Sequence, residues 1–202
     1  MYVPRIFKPE NTIVVSSYVK KYSFATLVSQ KEGLTDSHIP LSWHEDSEQV
    51  YITGNLSKAN PLASSFDGGQ ELLAIFINSH AYISSSWYDH VNVPTWNYIA
   101  VHIYGNAQKI DEHKLYQSIE HMVEKYESNR PNQFKLSDFS DKELKAHLNG
   151  LIGFRMSINR VEAAYKLSQN RKDKDYSEII SQLRQSGTDL EQAIANEMEI
   201  LR

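Results

Sequence analysis

Aromatic and hydrogen-bonding side chains are concentrated between residues 84 and 105, which read SSSWYDHVNVPTWNYIAVHIYG. This stretch holds Trp87, Trp96 and three tyrosines, interspersed with hydroxyl, amide and imidazole groups. Aromatic faces beside hydrogen-bond donors suit a flat heterocycle, which stacks on a ring and is held at its edge. The same residues also fit a core strand preceded by an aromatic loop, and composition alone favours that second interpretation.

Three other short segments carry groups suited to an anion or a ring edge. His38 lies in a predicted strand two residues before Pro40, whose missing N–H indicates an edge position, a bulge or a bend beside a ligand. Lys58 precedes a predicted short helix capped by Asn60, and a helix N-terminus beside a cation favours anions. The segment KLSQNR at 166–171 offers two cations, a hydroxyl and two amides to a phosphate or a ring edge. Each segment also fits a structural histidine or an ordinary solvated loop.

Several kinds of catalytic site are absent from the sequence. It contains no glycine-rich phosphate loop, no GxSxG and no HExxH motif. Because there are no cysteines, disulfides, thiolate zinc sites and a cysteine nucleophile are excluded. The eight histidines are dispersed and do not predict a metal site, and no residue pair predicts a catalytic acid and base.

The elements that must position these groups follow from hydrophobic periodicity and turn signals. Alternation and apolar runs predict strands over 23–30, 35–44, 49–54, 71–78, 96–110 and 151–161, and residues 80–84 continue or restart the strand at 71–78. Caps and apolar faces predict helices over 12–22, 111–128, 141–148, 176–185 and 188–201, with a short helix after Asn60. Consecutive hairpins with scattered helices favour a small antiparallel barrel, mainly β with flanking helices (α+β), over a doubly wound sheet.

Charge and hydropathy narrow the class of protein further. The 202 residues carry a net charge of −4, which argues against nucleic-acid binding through overall charge. Residues 155–184 are locally basic, with seven Lys or Arg against four Asp or Glu. No apolar run reaches the length of a membrane span, and the N-terminal residues do not resemble a signal peptide. We therefore expect a cytoplasmic protein that does not enter a membrane.

Four segments together resemble one known family. SHIPL at 37–41, the AYISSSWY and VPTWNYIAVHIYG segments within 81–105, and GFRMSINRVEAAYKLSQNR at 153–171 are similar, in this order, to signatures of the PaiB family. GNLSKANP at 54–61 is a looser fourth match, and the resemblance spans about residues 2–185. Proteins of that family are described as FMN-binding negative transcriptional regulators, in bacteria linked to sporulation and protease genes.

The resemblance implies a fold, a partner and a cofactor. The fold is the FMN-binding split β-barrel, an antiparallel Greek key that pairs as a homodimer and holds FMN at the dimer interface. Residues 1–165 would form the barrel domain, with a helical insertion at about 111–148. Residues 166–202 would form a polar loop and a helical C-terminal appendage, packed on the barrel or extending from it.

On this resemblance we expect twelve residues to hold FMN. Those near the phosphate are His38, Lys58 and Asn60, and the stacking faces are Trp87 and Trp96. The polar contacts are Ser84, Ser86, Asn97, Lys166, Ser168, Gln169 and Arg171. Three positions depart from the family pattern, since Asn55, Ser85 and Ala164 stand where His, Pro and Lys are expected.

Three functions are consistent with the sequence at this point. The first is a dimeric negative regulator with an FMN pocket, and the second is a flavin-dependent oxidoreductase, since relatives with this fold perform such chemistry. The third is a regulator that has lost flavin and acts through protein contacts. DNA is a possible partner, but the sequence carries no helix-turn-helix signal from which direct binding could be derived.

Overall fold

The computed structural model describes residues 1–9, 11–47 and 49–202. Its strands are β1 (Phe24–Ser29), β2 (Thr35–Pro40), β3 (Ser42–Glu45), β4 (Val50–Ser57), β5 (Asp67–Ile83), β6 (Thr95–Lys109) and β7 (Leu151–Lys166). Its α-helices are α1 (Thr12–Lys21), α2 (Glu112–Glu127), α3 (Asp141–Asn149), α4 (Asp173–Ser186) and α5 (Asp189–Leu201). Short 3₁₀ turns include Pro61–Ser65 and Ser85–Trp87.

The strands of the described residues form one sheet in the order β2-β1-β5-β6-β7-β4-β3. β1 pairs antiparallel with β2 and β5, and β4 pairs antiparallel with β3 and β7. The antiparallel sheet with flanking helices confirms the α+β class predicted from the hairpin pattern.

Backbone contacts divide the chain into two compact units. Unit 1 comprises residues 1–18, 76–102 and 162–202, and unit 2 comprises residues 19–75 and 103–161. The long strands β5, β6 and β7 run through both units, so each unit is built from segments distant in sequence.

Residues 35–44 were predicted as one strand and form two. β2 ends at Pro40 and pairs with β1, whereas β3 begins at Ser42 and pairs with β4. Between them the Leu41 N–H donates to the Ser23 carbonyl at 2.8 Å, and the Leu41 side chain is buried. The proline ends the strand because it cannot donate to the ladder, and both new strands lie at sheet edges.

β7 exceeds its predicted end, and β5 continues through residues 80–83 as one strand, as one of the two predicted alternatives had it. β7 continues five residues beyond Val161, because burial of Ala163, Ala164 and Tyr165 overrides the helix propensity of this segment. In β5 the buried positions change from 72, 74 and 76 to 79, 81 and 83, the signature of one inserted residue. At this irregularity the Asn78 N–H donates to the Tyr18 hydroxyl at 3.1 Å, inside unit 1.

The helices follow their predicted caps. Asp111 accepts from the Lys114 N–H at 2.8 Å, and Ser140 and Glu143 form the expected capping box. Gly187 adopts φ 79° and separates α4 from α5. Among the described residues, no helix combines the length and apolar character needed to cross a membrane.

Each unit buries its own set of side chains. In unit 2, Phe66 and Phe154 stack at 4.2 Å, and α2 and α3 add a cluster formed by Leu115, Ile119, Leu136 and Leu148. In unit 1, Tyr18 and Tyr165 pack edge to face at 6.0 Å, and α4 and α5 bury Ile179, Leu183, Ile194 and Met198.

Candidate functional site

Strands β5 and β6 present an aromatic face to solvent in unit 1. Trp96 remains 52% exposed, and its ring lies 5.9 Å from both His80 and Tyr82. The Tyr82 ring meets Trp96 edge to face, which leaves a broad indole surface in water. A half-exposed tryptophan bordered by two rings can stack against a flat heterocycle.

Strict alternation along β6 creates this face. Asn97, Ile99 and Val101 are fully buried, whereas Trp96 and Tyr98 point to the other side and keep some exposure. The alternation read from the sequence is therefore confirmed over the start of the strand.

Lys166 contacts the strand that carries this face and interacts electrostatically with Arg171. The Lys166 ammonium, at the end of β7, donates to the Trp96 carbonyl at 2.9 Å and also to the Thr95 hydroxyl. Burial lowers the pKa of Lys166, and the positive charge of Arg171 lowers it further. The Arg171 guanidinium lies 4.9 Å from the centroid of the Tyr88 ring. Two cations that act on one another favour a bound anion, most of all a dianion such as a phosphate group.

The turn that carries these cations is fixed from inside unit 1. Ser168 is the one non-glycine residue of the described chain with positive φ, at 62°. Its hydroxyl donates to Asn97 Oδ1 at 3.1 Å, and Asn97 Nδ2 lies 3.5 Å from Met198 Sδ. Gln169 accepts from the Leu167 N–H at 2.8 Å and donates to the Tyr165 carbonyl. The side chains of Asn97, Ser168 and Gln169 therefore stabilise the turn next to Lys166.

The 3₁₀ turn Ser85–Trp87 of unit 1 brings two serine hydroxyls close together. Ser84 caps the 3₁₀ turn by accepting from the Ser86 N–H at 3.2 Å, and the two hydroxyls lie 2.8 Å apart. Trp87 closes this turn and is half-buried. The following Tyr88 is buried, and its hydroxyl has no hydrogen-bond partner among the described residues.

The remaining expected site residues lie in unit 2. Asn60 accepts from the Leu62 N–H at 3.0 Å and donates to the Ser37 hydroxyl of β2 at 2.6 Å. His38 is exposed on the same strand, and its Nδ1 lies 2.9 Å from the Thr26 hydroxyl. Lys58 is exposed, with its backbone N–H bonded to the Gly150 carbonyl. The predicted cap at Asn60 is confirmed, and it ties the 3₁₀ turn to the strand that carries His38.

The structure therefore divides the expected residues between the two units. His38, Lys58 and Asn60 belong to unit 2, and the other nine belong to unit 1. Sequence reasoning missed His80, Tyr82 and Thr95, which border Trp96 or contact Lys166. The alternation of His80 and Tyr82 in a strand next to β6 was the available signal, but the neighbouring strand could not be identified without the fold.

One group of metal-ligating atoms also forms in unit 1. Ligand atoms of Asp89, His90 and Asp175 lie within 4.8 Å of one another. Lys174 already donates to Asp89 at 2.7 Å, and together with His90 it lowers the pKa of Asp89 to about 2. Because the Lys174 ammonium already pairs with the Asp89 carboxylate, we do not assign a metal ion to this group.

Comparison with known sequences identifies relatives across most of the chain. A family profile described as "Putative FMN-binding domain" matches residues 1–160. The chain is 41% identical over 184 residues to "Protease synthase and sporulation protein PAI 2" of Bacillus subtilis (strain 168), covering 91% of this chain and 89% of that protein. It is 28% identical over 160 residues to the uncharacterised protein YKL070W of Saccharomyces cerevisiae, covering 65% and 93% respectively.

Comparison with solved structures addresses the fold. The flavocytochrome Anf3 from Azotobacter vinelandii matches with a TM-score of 0.60 at 15% identity, over 87% of this chain and 78% of that one. The FAD and heme binding protein from Mycobacterium smegmatis matches with a TM-score of 0.58 at 10% identity, over 84% and 78%. These likenesses confirm the split-barrel fold. With the profile match and the Bacillus relative, they lead to one conclusion: the chain belongs to the PaiB family of FMN-binding-domain proteins.

Proposed function

We propose that this protein is a homodimeric, FMN-binding negative regulator of transcription. The observation that carries the cofactor assignment is the half-exposed Trp96 beside the paired cations Lys166 and Arg171. The regulatory role is carried over from the Bacillus relative, whose name links it to protease synthesis and sporulation.

The chemistry of the donor set fits FMN. An isoalloxazine ring needs a stacking surface and donors or acceptors at its edge, and its phosphate needs cations. Trp96 supplies the surface, the Ser84 and Ser86 hydroxyls supply edge groups, and Lys166 and Arg171 supply positive charge. In this proposal Asn97, Ser168 and Gln169 act by positioning Lys166, because their polar groups are already bonded within unit 1.

A second group of expected residues, in unit 2, offers another phosphate contact. His38, Asn60 and the exposed Lys58 surround a 3₁₀ turn tied to β2. We assign them to the phosphate end as well, and Trp87 to a second stacking position. Lys58→Gln and Lys166→Gln can be compared directly by measuring affinity for FMN and for riboflavin, which lacks the phosphate. If the replaced lysine contacts the phosphate, its substitution should weaken FMN binding and leave riboflavin binding unchanged.

Exposed apolar residues support the dimer. Within 76–102 the side chains of Ile77, Tyr82, Val91, Val93 and Trp96 are all at least 46% exposed. Several exposed apolar side chains within one short stretch of a unit are a feature of interaction sites. A second copy of the chain that covered them would also shield a flavin stacked on Trp96 from water.

Bound FMN supplies hydride and electron transfer, so an oxidoreductase is the competing function. The chain itself would contribute binding, orientation and exclusion of water. Purified protein reconstituted with FMN should show at most slow oxidation of NADH or NADPH in air. Rapid turnover would favour the oxidoreductase and reject the regulator as the primary role.

Direct repression is tested with promoter DNA. Because the overall charge is −4, contact must use a local basic surface, and affinity should fall steeply with salt. Saturable, sequence-dependent binding by the flavin-loaded dimer supports direct repression. No binding even at low salt would mean that any repression acts through another protein.

A further inference from the structure

We propose that unit 2 contains a second ligand site, a small cavity that binds a phosphate group. The cavity has a volume of about 240 Å³ and lies among β3, β4, β7 and α2. Its donors are Thr53, Lys114, Gln117, Ser118 and Arg155. None of the twelve residues expected to hold FMN lines it.

Arg155 is the strongest indication of a missing ligand. Its Nη2 atom is buried and has no hydrogen-bond partner within the described part of the chain. A carboxylate oxygen of Asp46 lies 3.7 Å away, beyond hydrogen-bond distance. An unsatisfied guanidinium N–H is costly to bury, and the rest of the Arg155 side chain, which is 34% exposed, lines the cavity.

The Arg155 guanidinium is also held in a fixed orientation. It lies 3.6 Å from the centroid of the Tyr51 ring, and the His44 ring stacks on Tyr51 at 5.0 Å with a 14° tilt. His44 is fixed in turn by Thr53, whose hydroxyl lies 2.9 Å from His44 Nε2. A preorganised guanidinium loses little entropy on binding, which favours planar recognition of an oxyanion.

The other donors surround the same space. The Ser118 hydroxyl on α2 lies 3.3 Å from the Thr53 hydroxyl, which joins helix and strand at the cavity wall. Lys114 lies one helical turn before Ser118, and its ammonium is exposed and 3.7 Å from Asp111. Asp46 and Asp111 form ion pairs with Arg155 and Lys114 at 3.7 Å, too long for a hydrogen bond, so both cations keep N–H groups for a ligand.

Positively charged groups act on His44, which lines the cavity. Burial lowers the pKa of His44, and His121, Arg155 and Lys20 lower it further through their charges. Positive potential, hydroxyl donors and a free guanidinium edge are the features that bind phosphate.

The size of the cavity limits the ligand to a small one. Pockets for drug-sized ligands have volumes of about 300–1,000 Å³, so this cavity is too small for a nucleotide or flavin. The Tyr51 ring already contacts both the Arg155 guanidinium and the His44 ring, so it is a poor stacking surface for a ligand. The ligand is therefore inorganic phosphate or the phosphate group of a small ester.

The test is a titration of the flavin-reconstituted protein in phosphate-free buffer at constant chloride. Inorganic phosphate and glycerol 3-phosphate are added separately, and binding is followed by calorimetry and by the NMR signals of the His44 ring. Arg155→Gln and Lys114→Gln remove the two cations. Lys142→Gln removes an exposed cation of α3 that does not line the cavity, and is the matched control.

We expect saturable binding that shifts the His44 signals. Arg155→Gln should weaken it by at least about tenfold and Lys114→Gln by about threefold, with no change for Lys142→Gln. Tighter binding of glycerol 3-phosphate identifies an ester as the ligand, and equal or tighter binding of phosphate identifies the free anion. The proposal is overturned if His44 does not respond, if Lys114→Gln binds as well as the control, or if Arg155→Gln loses flavin instead, since the cavity would then belong to the cofactor.

Discussion

Trp96 is the residue on which the cofactor assignment depends most. Half of its indole surface is in water, although it lies at the start of a strand whose alternate residues are buried. Exposed indole of this kind contributes little to folding and is available for stacking.

Replacing Trp96 with Ala should therefore separate binding from stability. We expect the Kd for FMN to rise by about tenfold, because a stacking surface is lost. The free energy of unfolding should fall by only about 1–2 kcal/mol, below the ~3–5 kcal/mol typical of a buried aromatic. Flavin titration and thermal unfolding measure the two effects, and Trp43→Ala in unit 2 is the size-matched control. A large loss of stability with FMN still bound would instead make Trp96 a core residue.

The lowered pKa of His44 should make the free energy of unfolding depend on pH. Burial is the main cause of its lowered pKa, and the charges of His121, Arg155 and Lys20 add to it. The unfolded chain therefore takes up a proton more readily than the folded one at this site. Above pH 6.5, the ordinary histidine pKa, His44 is neutral in both states and stability is at its full value. As the pH falls from 6.5 through the lowered pKa of folded His44, this stability is lost.

Urea unfolding between pH 7.5 and 5 checks this expectation. The free energy of unfolding should decrease with acidification, and His44→Gln should reduce the slope. His102, whose pKa is also lowered mainly by burial, accounts for a remaining part of the slope. An identical slope in wild type and His44→Gln would contradict the assignment.

At the scale of elements, Gly105 sets how closely two strands approach. A Cβ atom at this position would lie 2.0 Å from the Ser157 carbonyl oxygen, so the backbone itself would have to move. We expect Gly105→Ala to destabilise the protein by about 3 kcal/mol, the upper part of the range for overpacking.

Gly150→Ala is the control, because its nearest neighbour would be a carbonyl at an ordinary 3.5 Å and its φ is −81°. Its effect should stay within about 0.5 kcal/mol. Chemical denaturation of both variants gives the comparison. Equal stabilities of the two variants would mean that the strands can separate at Gly105 without cost.

Capping residues in the sequence correctly predicted where several helices begin. Asp111, Ser140 and Asn60 cap their helices as expected, because a cap depends on residues within one turn. The edge position, one of the alternatives predicted at Pro40, is confirmed, but the division of 35–44 into two strands and the extension of β7 to Lys166 were not predicted. Both depend on which distant strand pairs with the segment, a choice that periodicity does not encode.

The site was predictable in part for the same reason. Trp96, Lys166 and Arg171 stood out by residue type, and the fold brings the first two within hydrogen-bond contact through the Trp96 carbonyl. The buried bond between Ser168 and Asn97 joins positions 71 residues apart. Its positioning role could not be read from the sequence, because it exists only once β6 and the turn after β7 are adjacent.

At the scale of the whole molecule, the proposed FMN site at a homodimer interface requires that the protein form a dimer. We expect light scattering to give twice the 23.3 kDa of one chain. Val93→Glu, at an apolar residue 69% exposed in unit 1, should shift the protein towards monomer and lower its flavin content. Leu34→Glu, 75% exposed in unit 2, is the matched control and should remain dimeric. A monomeric wild type that binds FMN fully would exclude an interface site.

Family membership makes FMN binding the central claim, and a visible absorbance spectrum tests it most directly. Purified protein is mixed with excess FMN, passed through gel filtration and measured against the same protein before addition. The account predicts a flavin band that co-elutes with the dimer in stoichiometric amount. A well-folded dimer that retains no flavin would contradict it, and would mean that this chain has kept the family's fold without the family's cofactor.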